Sequence, residues 1–188
     1  MSMESPRKEH RTERKLIAAV ARHGDETAFR ELYRRHTPRL LMVVQRLLAA
    51  SGRDAEDVVQ ETWIRVVEHL AGFRGESAFA TWLTGIGLNV ARNHLRRQNR
   101  REAVDLREIP ERPAAARRGD DAIDLERAIE LLPDGYRAVL VLHDIEGWTH
   151  REIAVALDVT EGTCKSQLFA ARRWIRSYLG VTNEVSHE

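Results

Sequence analysis

Apolar residues recur at spacings of three and four along almost the whole chain, and runs of alternating polarity, the mark of a half-buried strand, are nearly absent. That periodicity predicts an all-α fold. One stretch breaks it: Gln98 to Asp121 holds Pro110, Pro113 and Gly119 among dense charge and sustains no helical period, as expected of a flexible linker. At 188 residues the chain is long enough for two small helical domains on either side of it. The expected organisation is a flexible N-terminal segment (1–19), a first domain (20–100), a linker (101–122), a second domain (123–180) and a C-terminal tail (181–188).

Asp25 is placed to cap a helix with Phe29, Leu32, Tyr33 and His36 on one face. Pro38 suits the first turn of another helix, ended by Gly52. Asp54 would cap a third, with Val58, Val59, Thr62, Val66 and Leu70 inward, and Ser77 would open a fourth, with Phe79, Trp82, Leu83, Ile86 and Val90 inward. Gly85 and Gly87 should weaken that fourth helix by roughly 1 kcal/mol each relative to Ala. In the second domain Leu125, Ile129 and Leu132 share a helix stopped by Pro133, and Asp134 would cap the next, which carries Val139, Leu140 and His143.

Formal net charge is only +1, so bulk charge argues for no partner; its distribution is more telling. Ser77 to Arg101 contains no acid but has Arg92, Arg96, Arg97, Arg100 and Arg101, and Thr163 to Leu179 contains no acid but has Lys165, Arg172, Arg173 and Arg176. Asp54, Glu56, Asp57 and Glu61 form an opposite run without a base. Such segregation suits two phosphate-facing surfaces and one surface for a basic protein, although any single run read alone fits a solvated helix face equally well. Apolar runs such as Leu40 to Val44 are too short to span a bilayer, the charged N-terminus has no signal-peptide core, and a cytoplasmic location is expected. One Cys excludes an internal disulfide and a Cys-rich zinc site. His69, His94, His143 and His150 lack metal spacing.

Thr149 and Glu152 stand three apart before Ile153 and Ala154, a capping box that opens a helix reaching about Leu157. A turn, Asp158 to Glu161, leads into a helix from about Gly162 to Leu179, making a helix-turn-helix. At about 100° per residue, Cys164, Leu168, Ala171, Ile175 and Leu179 share one face, while Gly162, Lys165, Ser166, Phe169 and Arg173 cluster roughly 140° away. A base, a hydroxyl and an exposed aromatic suit a helix in a major groove, where Phe169 would meet a thymine methyl. Trp63, Trp82 and Trp174 read mostly as core, although Trp174 falls outside the apolar face of its helix.

The segment "LPDGYRAVLVLHDIEGWTHREIAVALDVTEGTCKSQLFAARR" resembles region 4 of the bacterial extracytoplasmic-function sigma factors, of the sigma-70 class. The segment "DAEDVVQETWIRVVEHLAGFRGESAFATWLTGIGLNVARNHLRR" resembles region 2 of the same family. The resemblance implies binding to core RNA polymerase through Asp54, Asp57, Gln60, Glu61 and Ile64. It implies recognition and opening of the −10 promoter element by the loop Phe73, Arg74 to Ser77 with Trp82 and Asn89, while Arg92, Arg96 and Arg97 are suited to track the separated strand. It places Lys165, Ser166 and Phe169 on the −35 element, with Thr163, Arg172 and Arg173 beside them. An anti-sigma factor is a further implied partner; no catalytic residue, metal, cofactor, small-molecule substrate or membrane insertion is implied. Gln167 and Ala170 depart from Arg residues common in the family, Asn93 from a frequent Asp, and Gly85 and Gly87 from larger side chains.

Three other readings compete. A nuclease would use Asp54, Glu56, Asp57 and Glu61 as metal ligands, yet no second carboxylate cluster or convergent His accompanies them. A regulator binding DNA by itself would leave the first domain without a task. An interaction protein that holds a regulator without initiating would fail to open promoters.

Overall fold

The computed structural model describes residues 6–49, 52–99 and 121–180, and these contain helices and turns but no strand. The 101–122 linker and the 181–188 tail fall almost wholly outside the described residues.

Helix α1, Pro6–His23, occupies most of the segment expected to be a flexible N-terminus. Among the residues of α1 whose burial is described, the buried positions, Ile17 and Val20, span a single turn, too little periodicity to stand out beside the charged residues before them. Gly24, at φ +62°, ends it, donating its N–H to the Val20 carbonyl (2.9 Å). Asp25 then caps α2 as expected, its Oδ1 accepting from the Ala28 N–H at 2.9 Å.

Helix α2, Glu26–Leu48, runs unbroken through Pro38, where a helix boundary was expected. Proline removes one donor and crowds the carbonyl four residues back. Pro38 and Arg34 both face solvent, so water can serve that carbonyl, and Leu32, Leu40, Val43 and Leu47 hold one buried stripe on both sides. Helix α3, Gly52–His69, starts two residues before Asp54 and buries Val58, Val59, Thr62 and Val66 as expected, with Leu70 following in a 3-10 turn, Leu70–Gly72. Trp63 is buried too, its indole N–H donating to Thr37 Oγ1 at 3.0 Å.

Helix α4, Phe79–Asn99, carries the two glycines. A β-carbon on Gly87 would lie 3.0 Å from Leu40 Cδ1 and 3.6 Å from Thr62 Oγ1, so this glycine is where α4 closes against α2 and α3. It is a packing residue, not merely a weak point of the helix.

In the second half, α5 (Asp121–Leu131) buries Asp124, Ala128 and Ile129 and leaves Leu125 exposed, contrary to expectation. Ile129, and Leu132 just after the helix, are buried as expected, while Asp124 and Ala128 rather than Leu125 complete the inward face. Helix α6, Asp134–Leu140, begins after Pro133 without a side-chain cap; Asp134 accepts from the buried Arg137 guanidinium instead of capping the helix. Arg137 also donates to the carbonyls of Glu130 and Leu132, and burial pulls its pKa down despite the Asp134 carboxylate. A π-helical turn, Val141–Ile145, continues α6, and Gly147 at φ +73° redirects the chain to Trp148.

Thr149 opens α7, His150–Leu157, with the expected capping box: Thr149 Oγ1 accepts from the Glu152 N–H (3.2 Å) and Glu152 Oε2 from the Thr149 N–H (2.8 Å). The Thr149 N–H and hydroxyl, both donating to its carboxylate, hold the Glu152 carboxyl below its usual range. Asp158, at φ +57°, closes α7, and Thr160 caps α8, Glu161–Tyr178, by accepting from the Thr163 N–H at 3.0 Å. Contacts divide the chain into two compact units, Met1–Val44 with Gly52–His94 and Gln45–Ser51 with Leu95–Glu188.

Candidate nucleic-acid interface

Helix α8 is held by Cys164, Leu168, Ala171, Trp174 and Ile175, all buried against α6 and α7. Trp174, outside the apolar face by its spacing, is buried and stacks on Tyr178 (5.4 Å between centroids, 17° between planes). Burial pushes the Cys164 thiol up, which disfavours a reactive thiolate. The opposite side presents Lys165, Ser166, Phe169 and Arg173 to solvent, with Phe169 64% exposed. Ser166 Oγ donates to the Thr163 carbonyl (2.9 Å) and keeps lone pairs for another donor. Thr163 is half-buried, its hydroxyl 2.9 Å from that of Thr160.

Arg172 differs from its neighbour Arg173. Its guanidinium is gripped by Asp144, Nε to Oδ2 at 2.9 Å and Nη2 to Oδ1 at 2.5 Å, and His143 Nδ1 lies 2.8 Å from the same carboxylate. Partial burial works against the charge on Asp144, yet bonds from Arg172 and His143 hold its carboxyl below the usual range. Gln167 is half-buried, with its amide against the start of α6, 3.0 Å from where a Gly135 β-carbon would stand.

In the first unit a cavity of about 190 Å³ opens between the 3-10 turn and α4, lined by Gly72, Phe73, Arg74, Gly75, Glu76, Ser77 and Trp82. Phe73, Phe79 and Trp82 pack ring on ring behind it, with centroids 5.0 to 5.8 Å apart. Thus Phe73, Arg74, Ser77 and Trp82 do come together around one cavity. Asn89 lies two turns along α4 from Trp82, on the same side and exposed; Arg92 is half-buried, and Arg96 and Arg97 are exposed near the end of the helix.

On α3, Asp57, Gln60 and Ile64 form an outward stripe at spacings of three and four. Glu61 borders it, half-buried and paired with Arg65 (2.5 Å), and Asp54 is half-buried in the first turn. The stripe is less purely acidic than its sequence suggests. Ile64 is 61% exposed and Val67 52%, and Val67 was missed although it lies three residues beyond Ile64. Among the described residues no three His, Cys, Asp or Glu side chains converge as metal ligands, so the acidic run forms no nuclease-like cluster.

Known proteins carry the same two blocks. The pattern of sigma-70 region 2 matches residues 32–101, and that of sigma-70 region 4 matches residues 122–175. The ECF RNA polymerase sigma-E factor of Escherichia coli (strain K12) is 33% identical, over 89% of this chain and 94% of its own. The chain belongs to the extracytoplasmic-function sigma factors. The RNA polymerase sigma-H factor of Pseudomonas aeruginosa is 32% identical to this sigma factor, over 87% of this chain and 91% of the relative. Among solved structures, CnrH in complex with the cytosolic domain of CnrY is 26% identical, with a TM-score of 0.59 over 90% of this chain and 97% of that one. The fold is likewise that of the sigma factor RpoE, solved with the anti-sigma factor NepR from Bartonella quintana (24% identical, TM-score 0.64, covering 81% of this chain and 97% of that one). No described helix of this sigma factor is long and apolar enough to cross a membrane.

Proposed function

We propose that this sigma factor binds core RNA polymerase, recognises the −35 and −10 elements of a set of promoters and opens the DNA to start transcription. The two promoter-reading parts would be residues 20–100 and 123–180. The outer face of α3, with Asp54, Asp57, Gln60, Glu61 and Ile64, is the polymerase contact: carboxylates meet a basic partner while Ile64 loses its contact with water. In the −10 element a base leaves the stack and enters the cavity beside Trp82. Phe73, Arg74, Ser77 and Asn89 border its path, and Arg92, Arg96 and Arg97 follow the phosphates. Opening draws on binding energy, because a captured base no longer pairs; no covalent bond is made or broken, and the chain is an initiation factor without a catalytic residue. On the −35 element Lys165, Ser166 and Phe169 read base edges, Arg173 holds phosphate, and Thr163 and Arg172 shape the helix that carries them.

The observation that carries this reading is the cavity, since residues chosen for base capture line it beneath an aromatic cluster. The working place is the cytoplasm, where the polymerase is. An anti-sigma factor is the expected regulatory partner: the family implies one, and the sigma factor RpoE, which shares the fold, was solved with the anti-sigma factor NepR. The test is transcription with purified core polymerase on promoters identified from transcripts that rise on overexpression. Permanganate footprinting should report open DNA around −10 only when core and this chain are both present. Core binding without opening would favour a decoy, and footprints without core would favour a lone regulator.

A further inference from the structure

Helix α1 lies outside the residues matched to region 2, yet it is built into the surroundings of the cavity. It packs on the 3-10 turn Leu70–Gly72, from which the cavity loop departs. Glu13 Oε1 lies 3.0 Å from His36 Nε2, and both side chains are largely buried. The His36 ring meets Phe79 edge-on at 5.0 Å, and Phe79 in turn packs on Phe73 and Trp82. The Glu13–His36 pair therefore ties α1 to the aromatic group behind the cavity. Next to Glu13, the exposed Arg14 extends to the loop: its Nη2 is 3.9 Å from the point where a β-carbon on Gly75 would stand.

We propose that Arg14 is a phosphate-binding residue of the −10 single-strand site, held beside the cavity loop by the Glu13–His36 pair. The proposal rests on reading the cavity as a base-capture site. A nucleotide whose base enters that cavity leaves its phosphates outside, near the loop. The loop's own charges, Arg74 and Glu76, cancel, so the loop alone offers a polyanion little net attraction. Arg14 tips the local balance to positive, and a guanidinium can grip a phosphate with two parallel bonds. Gly75, at φ +72°, gives the loop its tight turn and places no side chain between Arg14 and the strand.

The experiment measures binding of the holoenzyme, assembled from core polymerase and full-length chain, to a single-stranded oligonucleotide carrying the −10 sequence of a mapped promoter. Salt is varied for wild type, Arg14→Ala, Arg14→Lys and Trp82→Ala, with helicity and core affinity checked for each. Arg14→Ala should bind several-fold more weakly, and its log–log salt slope should shrink by about 0.7, the value for one phosphate contact on a single strand. Arg14→Lys should keep the slope and recover part of the affinity. If Arg14→Ala binds as wild type while Trp82→Ala is weakened, the cavity reading stands and the role of Arg14 is overturned. A loss of equal size at every salt concentration also overturns it, since Arg14 would then only support the loop. If Trp82→Ala binds as wild type, base capture itself fails and the role of Arg14 falls with it.

Discussion

Arg172 and Arg173 are adjacent and carry the same charge, yet their surroundings give them different work. Arg173 is exposed, whereas Arg172 spends its guanidinium on Asp144. Replacing Arg173 by Ala should weaken −35 binding on all sequences alike and lower the salt slope by about one. Replacing Phe169 by Ala should cost roughly 1–3 kcal/mol at one −35 base pair and little at the others. Quantitative binding of holoenzyme to a panel of −35 variants separates the two, and equal losses for Phe169→Ala across the panel would show that it reads no base.

The Asp144–Arg172 pair gives a further residue-scale prediction, in stability and its pH dependence. The Asp144 carboxyl is held below its usual range, so its contribution is present above the ordinary Asp pKa and is lost as pH falls through the depressed one. Both side chains retain solvent contact, which limits the coupling to roughly 0.2–1 kcal/mol. A double-mutant cycle of Asp144→Asn and Arg172→Gln, read by thermal unfolding, should give that coupling at neutral pH and a smaller one in acid.

Helix α3 works as an element with two faces. Val58, Val59, Thr62 and Val66 hold it in the core, while Asp57 and Ile64 face outward, so charge reversal outside should spare the fold. Asp57→Lys with Glu61→Lys should abolish detectable core binding: interface charge pairs couple by roughly 1.5 kcal/mol or more and become repulsive on reversal. The deficit should be steepest at low salt. Stability should fall only slightly, because the Glu61–Arg65 pair is an i,i+4 contact worth about 0.3–0.5 kcal/mol. Intact core binding would reduce this face to a solvated one. For α4 the decisive position is Gly87. Alanine normally gains roughly 1 kcal/mol over glycine within a helix. Here the new methyl would press on Leu40 at 3.0 Å, and overpacking costs about 1–3 kcal/mol. Gly87→Ala should therefore lower the melting temperature, and an unchanged or raised value would show that α2 yields easily at Leu40.

At the scale of the whole molecule, promoter binding should require the polymerase. Net charge is +1, and Gln167 and Ala170 leave α8 without two further bases. Since nonspecific affinity scales with the number of phosphates neutralised, the isolated chain should bind promoter duplex weakly at physiological salt. Gel shifts with and without core should show specific complexes only with it; tight specific binding by the chain alone would contradict this. Two modest DNA contacts gain affinity when one rigid partner presents both, because the second then binds at high effective concentration.

The all-helical class, the helix-turn-helix and the capping box at Thr149 and Glu152 could be read from the sequence, because each is written within a window of a few turns. The same holds for the buried stripe Val58, Val59, Thr62 and Val66 and for the opposed faces of α8. A 3.6-residue period and an i,i+3 hydrogen bond need no knowledge of what lies across the fold. Tertiary structure decided the rest. It carried α2 through Pro38, turned Gly87 into a contact point, buried Trp174 and exposed Leu125. It also joined residues far apart in sequence: Asp144 to Arg172 across 28 positions and Glu13 to His36 across 23. Such pairings depend on which helix faces meet, and that is settled by the packing of whole side-chain surfaces, which no local spacing records.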